Sequence, residues 1–194
     1  MNNNTKQILL DTTKQLLLEC EDVSSITARV IATKANVNLA MINYCYQSKD
    51  NLLSLATSEI IRNDFEKYDI TKSDGLNTKE QLLELLVYIS EVVMKYKEIT
   101  QATIPHILLN APITLPNRIL PYIKECLIND NNDKKCRTIA FQIVTNLQII
   151  FYRFSDYCEY IGVNINNEEE IINEIRENIS LNLDAFLGGD ESEK

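Results

Sequence analysis

The sequence predicts an all-α protein, with a small N-terminal three-helix domain built around a helix-turn-helix and a larger helical domain after it. Three observations predict this. Apolar residues recur at spacings of three and four along almost the whole chain, and no stretch alternates with period two for long enough to make a strand. Glycine and proline are scarce, four of each in 194 residues, against an average joint usage of roughly 12%; sheet folds need more turn punctuation than that. Hydrophobic residues make up 45% of the chain, enough for a packed core without disulfide or metal staples. Disordered and fibrous classes are thereby excluded.

Element by element, the first helix is expected over about residues 5–19, with Ile8, Leu9, Thr12, Leu16 and Leu17 facing inward. Thr27 is placed to cap a short helix over 28–34, its hydroxyl accepting an otherwise orphaned backbone N–H. Residues 35–38, Ala-Asn-Val-Asn, read as a tight turn, because Asn36 tolerates a left-handed backbone and Asn38 can cap the next helix over 39–46. Ser48 caps a fourth helix that buries Leu52, Leu53, Ala56, Ile60 and Phe65 and ends near residue 68. A loop over 71–77 carries Asp74-Gly75. Thr78 opens a helix with the stripe Leu82, Leu85, Leu86, Ile89, Val93 and Tyr96.

All four prolines (Pro105, Pro112, Pro116, Pro121) follow in one stretch. They predict short, broken helices there, since proline removes a donor and clashes with the preceding turn. One long helix is expected over 133–160, with Ala140, Ile143, Val144, Leu147, Ile150, Phe151, Phe154 and Cys158 along its seam. Gly162 ends it. Glu168, Glu169 and Glu170 begin the last helix, where the helix dipole favours negative charge, and Ile171, Ile172, Ile175, Ile179, Leu183 and Phe186 form its apolar stripe.

The net charge is −9, so the molecule as a whole is not drawn to nucleic acid or anionic membrane. The average hides a division. Up to Leu53, Lys6, Lys14, Arg29, Lys34 and Lys49 balance Asp11, Glu19, Glu21, Asp22 and Asp50, so the acidic excess lies beyond residue 53. Between Thr27 and Leu53 three cations face the single acid Asp50. The five cysteines (Cys20, Cys45, Cys126, Cys136, Cys158) are widely spaced without a CxxC, and His106 is the one histidine. Neither a disulfide framework nor a metal site is expected, and no cofactor is. The N-terminus lacks a signal peptide's apolar region, and the longest apolar run, residues 85–89, is far short of the ~18 that cross a bilayer. A cytoplasmic protein with no membrane partner is the expectation. No paired carboxylates, nucleophile with base, or phosphate loop suggests an enzyme.

The informative segment is residues 27–53, TARVIATKANVNLAMINYCYQSKDNLL. Two short helices joined by a three- to four-residue turn present the second helix to a DNA major groove. Ile31, Ala32, Val37, Leu39 and Ile42 supply apolar contacts to hold the crossing; Asn38, Ala40, Met41, Asn43, Tyr44 and Tyr46 remain for the outer face or its flank. Asn side chains can read adenine edges, while Thr and Tyr hydroxyls and Lys suit phosphates.

In the order of its pieces, an amphipathic helix, then Thr27-x-Arg29-x-Ile31-Ala32, Ala35-Asn36-Val37, Ile42-Asn43-Tyr44 and Ser48-Lys49-Asp50-x-Leu52-Leu53, the sequence resembles the TetR family of bacterial transcriptional regulators. The resemblance covers about the first 55 residues; further on, Tyr160-Ile161-Gly162-Val163-Asn164 before an acidic helix start also looks like the family's last-helix entry. It implies a DNA-binding domain over 1–50 and an effector-binding and dimerisation domain over 51–190. The expected partners are double-stranded DNA with a pseudo-palindromic operator, a second copy of the chain and a small-molecule effector, and the expected action is repression relieved by that effector. Matched position by position, Thr27 and Lys49 are implied phosphate anchors, and Arg29, Asn38, Leu39, Ala40, Asn43 and Tyr44 groove-facing residues; Tyr46 is a DNA-side candidate or a core aromatic. Asp22 and Asn36 stand where the family carries glycine, and both side chains tolerate φ > 0.

In such an architecture the middle helices surround the effector, which makes Tyr88, Tyr96, His106, Phe141 and Tyr152 candidate pocket residues, although core packing is the simpler reading of each. The apolar seams of the last two helices look longer than one subunit needs. They predict a four-helix dimer interface through Ile143, Leu147, Ile150, Phe154, Ile175, Ile179 and Leu183. Two other readings stay open: a helical adaptor that has lost DNA binding, and a thiol-based redox regulator acting through Cys45 beside the DNA face.

Overall fold

Side-chain caps set where the N-terminal helices begin. The structure, a computed structural model, describes residues 2–67, 75–128 and 132–188, with side chains from residue 4. It holds α1 (Asn2–Glu19), α2 (Ala28–Lys34), α3 (Ala40–Tyr46), α4 (Lys49–Phe65), α5 (Thr78–Lys95), α6 (Lys97–Asn110), α7 (Leu120–Cys126), α8 (Asp133–Tyr152), α9 (Phe154–Ile161) and α10 (Glu168–Leu187), with no strand among the described residues. The predicted all-α class holds. Thr27 Oγ1 accepts the Val30 N–H at 3.2 Å, Asn38 Oδ1 the Ala40 N–H at 2.8 Å and Ser48 Oγ the Asn51 N–H at 3.0 Å. Each such cap is worth about 1 kcal/mol.

The helices form two compact units, residues 1–67 with 95–112, and residues 68–94 with 113–194. In the first, α1 packs on α2, α3 and α4, and α6 packs on α4 and on the 3-10 turn Val23–Ser25. The core is Leu9, Leu17, Ile26, Ile31, Ala32, Ile42, Tyr46, Leu52, Leu53, Ala56, Ile60 and Ile99. So α6, and all of α4 beyond its first residues, share the core of the helix-turn-helix. In the second unit, α8 packs against α7, α9, α10 and the 3-10 turn Leu115–Arg118.

The structure differs from the sequence reading at several points. Asp22 is not left-handed; it sits at φ −137° and caps the 3-10 turn, its carboxylate accepting from the Ser24 N–H. Pro105 does not break its helix, and α6 runs through it to Asn110. Shorter elements do follow at Pro116 and Pro121, each near a helix start where proline's missing N–H has no role. The helix expected over 133–160 is two helices, parted at Arg153, whose guanidinium pairs with Asp156. Gly162 ends the second of them in a left-handed conformation at φ 79°. On α5 the buried face is rotated: Val87, Ser90 and Val92 are buried with Leu82, Leu85 and Leu86, while Ile89 and Val93 are half-exposed. Of the loop expected over 71–77, residues 71–74 lie outside the described residues.

The seam expected to join two subunits lies within one. Ile143, Leu147, Ile150 and Phe154 are buried inside the single chain, as are Ile175, Ile179 and Leu183. The apolar residues that α8 leaves in solvent are Phe141, Ile149 and Tyr152, which fall on one helical face at spacings of eight and three.

A buried carboxylate fastens the end of α4 to the start of α6. Asp64 is ion-paired with Lys67, accepts from Lys95 Nζ at 2.6 Å and receives the Tyr96 hydroxyl at 2.9 Å. These hydrogen bonds, Lys67's first, hold its carboxyl well below the usual carboxylate range. The stabilisation is therefore complete above the unfolded-chain pKa, about 3.9, and is lost as pH falls below it toward the native value. Because both lysines are largely exposed, solvent screens part of the gain. Asp64→Asn is expected to cost about 2 kcal/mol at pH 7, read as a lower urea midpoint, with the gap from the parent narrowing between pH 5 and pH 3; a gap independent of pH would remove the carboxylate from this role.

Candidate nucleic-acid interface

The helix-turn-helix is made by a short-range backbone device. Asn36 takes a left-handed conformation at φ 52°, which lets the Val37 N–H reach back to the Ala32 carbonyl at 3.0 Å and the Asn36 N–H to Thr33 at 3.1 Å. This is the six-to-one closure that ends helices, here with asparagine in the place glycine usually takes. Ile31, Ala32 and Ile42 are buried beneath it, with Val37 and Met41 partly so, and they hold α3 across α2.

The burial pattern of α3 then selects its outer face. Ile42 and Tyr46 point inward; Ala40, Asn43 and Tyr44, at spacings of three and four, point out. Tyr44 is 70% exposed and Leu39 46%, a degree of exposure a packing aromatic or leucine does not need. Thr27, Arg29 and Asn38 are exposed as well, and Lys49 is half-exposed, its Nζ 3.6 Å from Asp50. Eight of the nine predicted DNA-side residues thus reach solvent on one compact unit. Lys34 is taken up in an exposed ion pair with Glu19 at 2.7 Å.

Tyr46 is the exception. It is 2% exposed, and its hydroxyl donates to the Lys6 carbonyl at 2.6 Å while Lys6 Nζ lies 5.5 Å from the ring centre. Burial pushes its phenol up to about 12. The ring fills the space between α1 and α3, which removes it from the exposed face of α3. Cys45 beside it is half-buried and packs on the same core, and the five cysteines are free thiols.

Between α3 and α4 stands a feature with no sequence signal. Gln47 has φ 68° and ψ −38°, and the Ser48 N–H closes onto the Tyr46 carbonyl at 2.8 Å, approaching the strained three-residue turn with positive φ. Asn51 Nδ2 donates to the same carbonyl at 2.9 Å, so the strain is held from α4.

The five candidate effector residues are divided between the two units. Tyr96 and His106 belong to the first unit, the former bonded to Asp64; Tyr88, Phe141 and Tyr152 belong to the second, where Phe141 and Tyr152 are on the exposed face of α8. Of the five, His106 alone lines the cleft between α4 and α6, a space of about 330 Å³. Asp50, Leu53, Ser54, Thr103 and Asn110 line it too, and the sequence marks none of these as an effector residue. Asp50 and Ser54 stand one turn apart on α4, and Thr103, His106 and Asn110 recur at helical spacing on α6, a pattern visible only once the two helices are known to pack.

Tyr46→Phe is expected to lower the stability of the fold by about 1 kcal/mol, the usual worth of one hydrogen bond, while leaving affinity for duplex DNA at low salt unchanged. A loss of DNA affinity at parental stability would return Tyr46 to the interface.

No protein-family model matches the sequence, and no curated protein matches it. Among solved structures, the chain is similar to Thermus thermophilus FadR, a TetR-family transcriptional repressor solved in complex with lauroyl-CoA. The likeness has a TM-score of 0.71 at 15% identity and covers 97% of this chain and 96% of that one. At that identity it is a likeness of architecture, spanning both the helix-turn-helix and the helices after it: the chain has the fold of a TetR-family repressor.

Proposed function

We propose that the protein is a DNA-binding transcriptional regulator of the TetR type, acting in the cytoplasm as a homodimer and released from a pseudo-palindromic operator by a small-molecule effector. The observation that carries this reading is the exposed face of α3, on which Ala40, Asn43 and Tyr44 stand outward from a helix fixed by caps and by the Asn36 turn. The fold shared with a repressor supports it. That neighbour was solved with lauroyl-CoA, which supports an effector for this chain without identifying one.

In this reading Asn43 reads a base edge, Asn38, Leu39, Ala40 and Tyr44 meet the groove or its rim, Arg29 reaches base or phosphate, and Thr27 and Lys49 anchor phosphates. Two such helices about 34 Å apart engage successive major grooves. The second copy is met through the face of α8 that carries Phe141, Ile149 and Tyr152, since the seam residues first expected there are already covered. The effector acts by binding one of two dimer arrangements more tightly than the other, which shifts the population away from the operator spacing.

Selection from a random duplex library should enrich an inverted repeat; a folded dimer that enriches nothing would favour an adaptor that has lost DNA binding. Asn43→Ala and Tyr44→Ala should each weaken the selected site by about 1–3 kcal/mol without affecting dimerisation, and parental affinity in both would overturn the docking. Lys49→Ala should weaken all sequences alike and flatten the salt slope by about one unit. Sedimentation of a Phe141→Asp, Tyr152→Asp double variant should show a monomer at micromolar concentration; an intact dimer would place the interface elsewhere.

A further inference from the structure

The cleft between α4 and α6 is lined by a buried hydroxyl that departs from the usual bonding of a helix. A serine or threonine inside a helix commonly turns its hydroxyl back to the carbonyl four residues earlier. Thr13, Ser58, Ser90, Thr100, Thr103 and Thr138 all do so, at 2.7 to 3.1 Å. Ser54 and Thr57 do not: both are buried and neither hydroxyl oxygen has a hydrogen-bond partner, and of the two it is Ser54, 5% exposed, that lines the cleft. Buried polar groups are nearly always satisfied, so one left open on the wall of a cavity points to something that fills the cavity.

The rest of the wall gives the chemistry of that occupant. Asp50 is the one acidic side chain on it, and the polar side chains of His106 and Asn110, whose Nδ1 and Nδ2 lie 3.5 Å apart, line it too. Leu53, Pro105 and Leu109 supply apolar surface. Lys49 Nζ lies 3.6 Å from Asp50 Oδ1, and the Asp50 side chain is well exposed. No lysine or arginine lines the cleft, so an anionic ligand inside it would meet the Asp50 carboxylate and no cationic side chain of the wall. The volume of about 330 Å³ is at the lower end of the range for ligand pockets, roughly 300–1,000 Å³.

We propose that this cleft is a binding site for a compact organic ammonium ion, whose charged nitrogen pairs with Asp50 and donates a hydrogen bond to Ser54 Oγ, and whose short apolar body lies against Leu53, Pro105 and Leu109. The site belongs to the first compact unit and is formed by α4 and α6 alone. Asp50 adjoins Lys49 and stands two residues from the Ser48 cap, so an occupant is within one helical turn of a proposed phosphate anchor. That consequence for DNA rests on the proposed function; the binding itself does not.

The test titrates the full chain, without DNA, with phenethylammonium and hexylammonium chloride, following backbone amide resonances. Saturable shifts centred on Ser54, Thr103 and His106 are expected, weakened at least tenfold by Asp50→Asn and measurably by Ser54→Ala. Phenethyl alcohol and hexanol, which lack the charge, should bind at least tenfold more weakly. The chain has no tryptophan, so Leu109→Trp, a change at a site 81% exposed, gives an independent fluorescence reading at the mouth of the cleft should either of the other variants fold poorly. Shifts that do not saturate, alcohols that bind as tightly as the amines, or parental affinity in Asp50→Asn would each overturn the proposal and leave the cleft as hydrated surface. Because the reading is taken without DNA, failure of the protein to recognise any duplex would overturn the proposed function and leave this result standing.

Discussion

The first compact unit depends on how Tyr46 is held. Its ring is part of the core, its hydroxyl is bonded to the backbone of α1, and its carbonyl receives both the Ser48 N–H and the Asn51 side chain at the start of α4. One residue therefore ties three helices together. An unpaired phenol buried at that depth would be unfavourable, and the Lys6 carbonyl satisfies it. The outward direction of Asn43 and Tyr44 follows, because a helix as short as α3 has little stability of its own and takes its orientation from what it packs on.

Charge is organised around this frame rather than within it. The acidic excess lies beyond residue 53, and the polar anchor at the far end of α4 is also electrostatic: Asp64 collects two lysines and a tyrosine hydroxyl where α4 ends and α6 begins. α4 is thereby fixed at both ends, by the Ser48 cap and Asn51 at one and by Asp64 at the other. Between them it contributes Leu52, Leu53, Ala56 and Ile60 to the core.

Much of the helix-turn-helix was legible in the sequence because its determinants are local. Thr27, Asn36, Asn38 and Ser48 act on backbone groups within three or four residues, and their roles are those their side chains allow in isolation. Determinants that act across the chain were not legible. Tyr46 reads equally as an outer aromatic until α1 is known to lie over it, and the seam on α8 and α10 reads as a subunit contact until one chain is seen to bury it. The kink at Arg153 breaks no pattern of apolar spacing. The α4–α6 cleft needs both helices in place before Asp50, Ser54 and His106 become neighbours.

The strained turn at Gln47 has a mechanical consequence. A glycine hinge would let α4 tilt while α3 stayed still. Gln47 is held at positive φ between two hydrogen bonds to one carbonyl, so little rotation is available there to absorb such a tilt. The 17 residues of α4 make a rod of about 25 Å, over which a tilt of about 5° about one end displaces the other by about 2 Å. With a stiff joint, α4 works as a lever, and a displacement comparable to a hydrogen bond's tolerance at its distal end arrives at α3 as a change of aim.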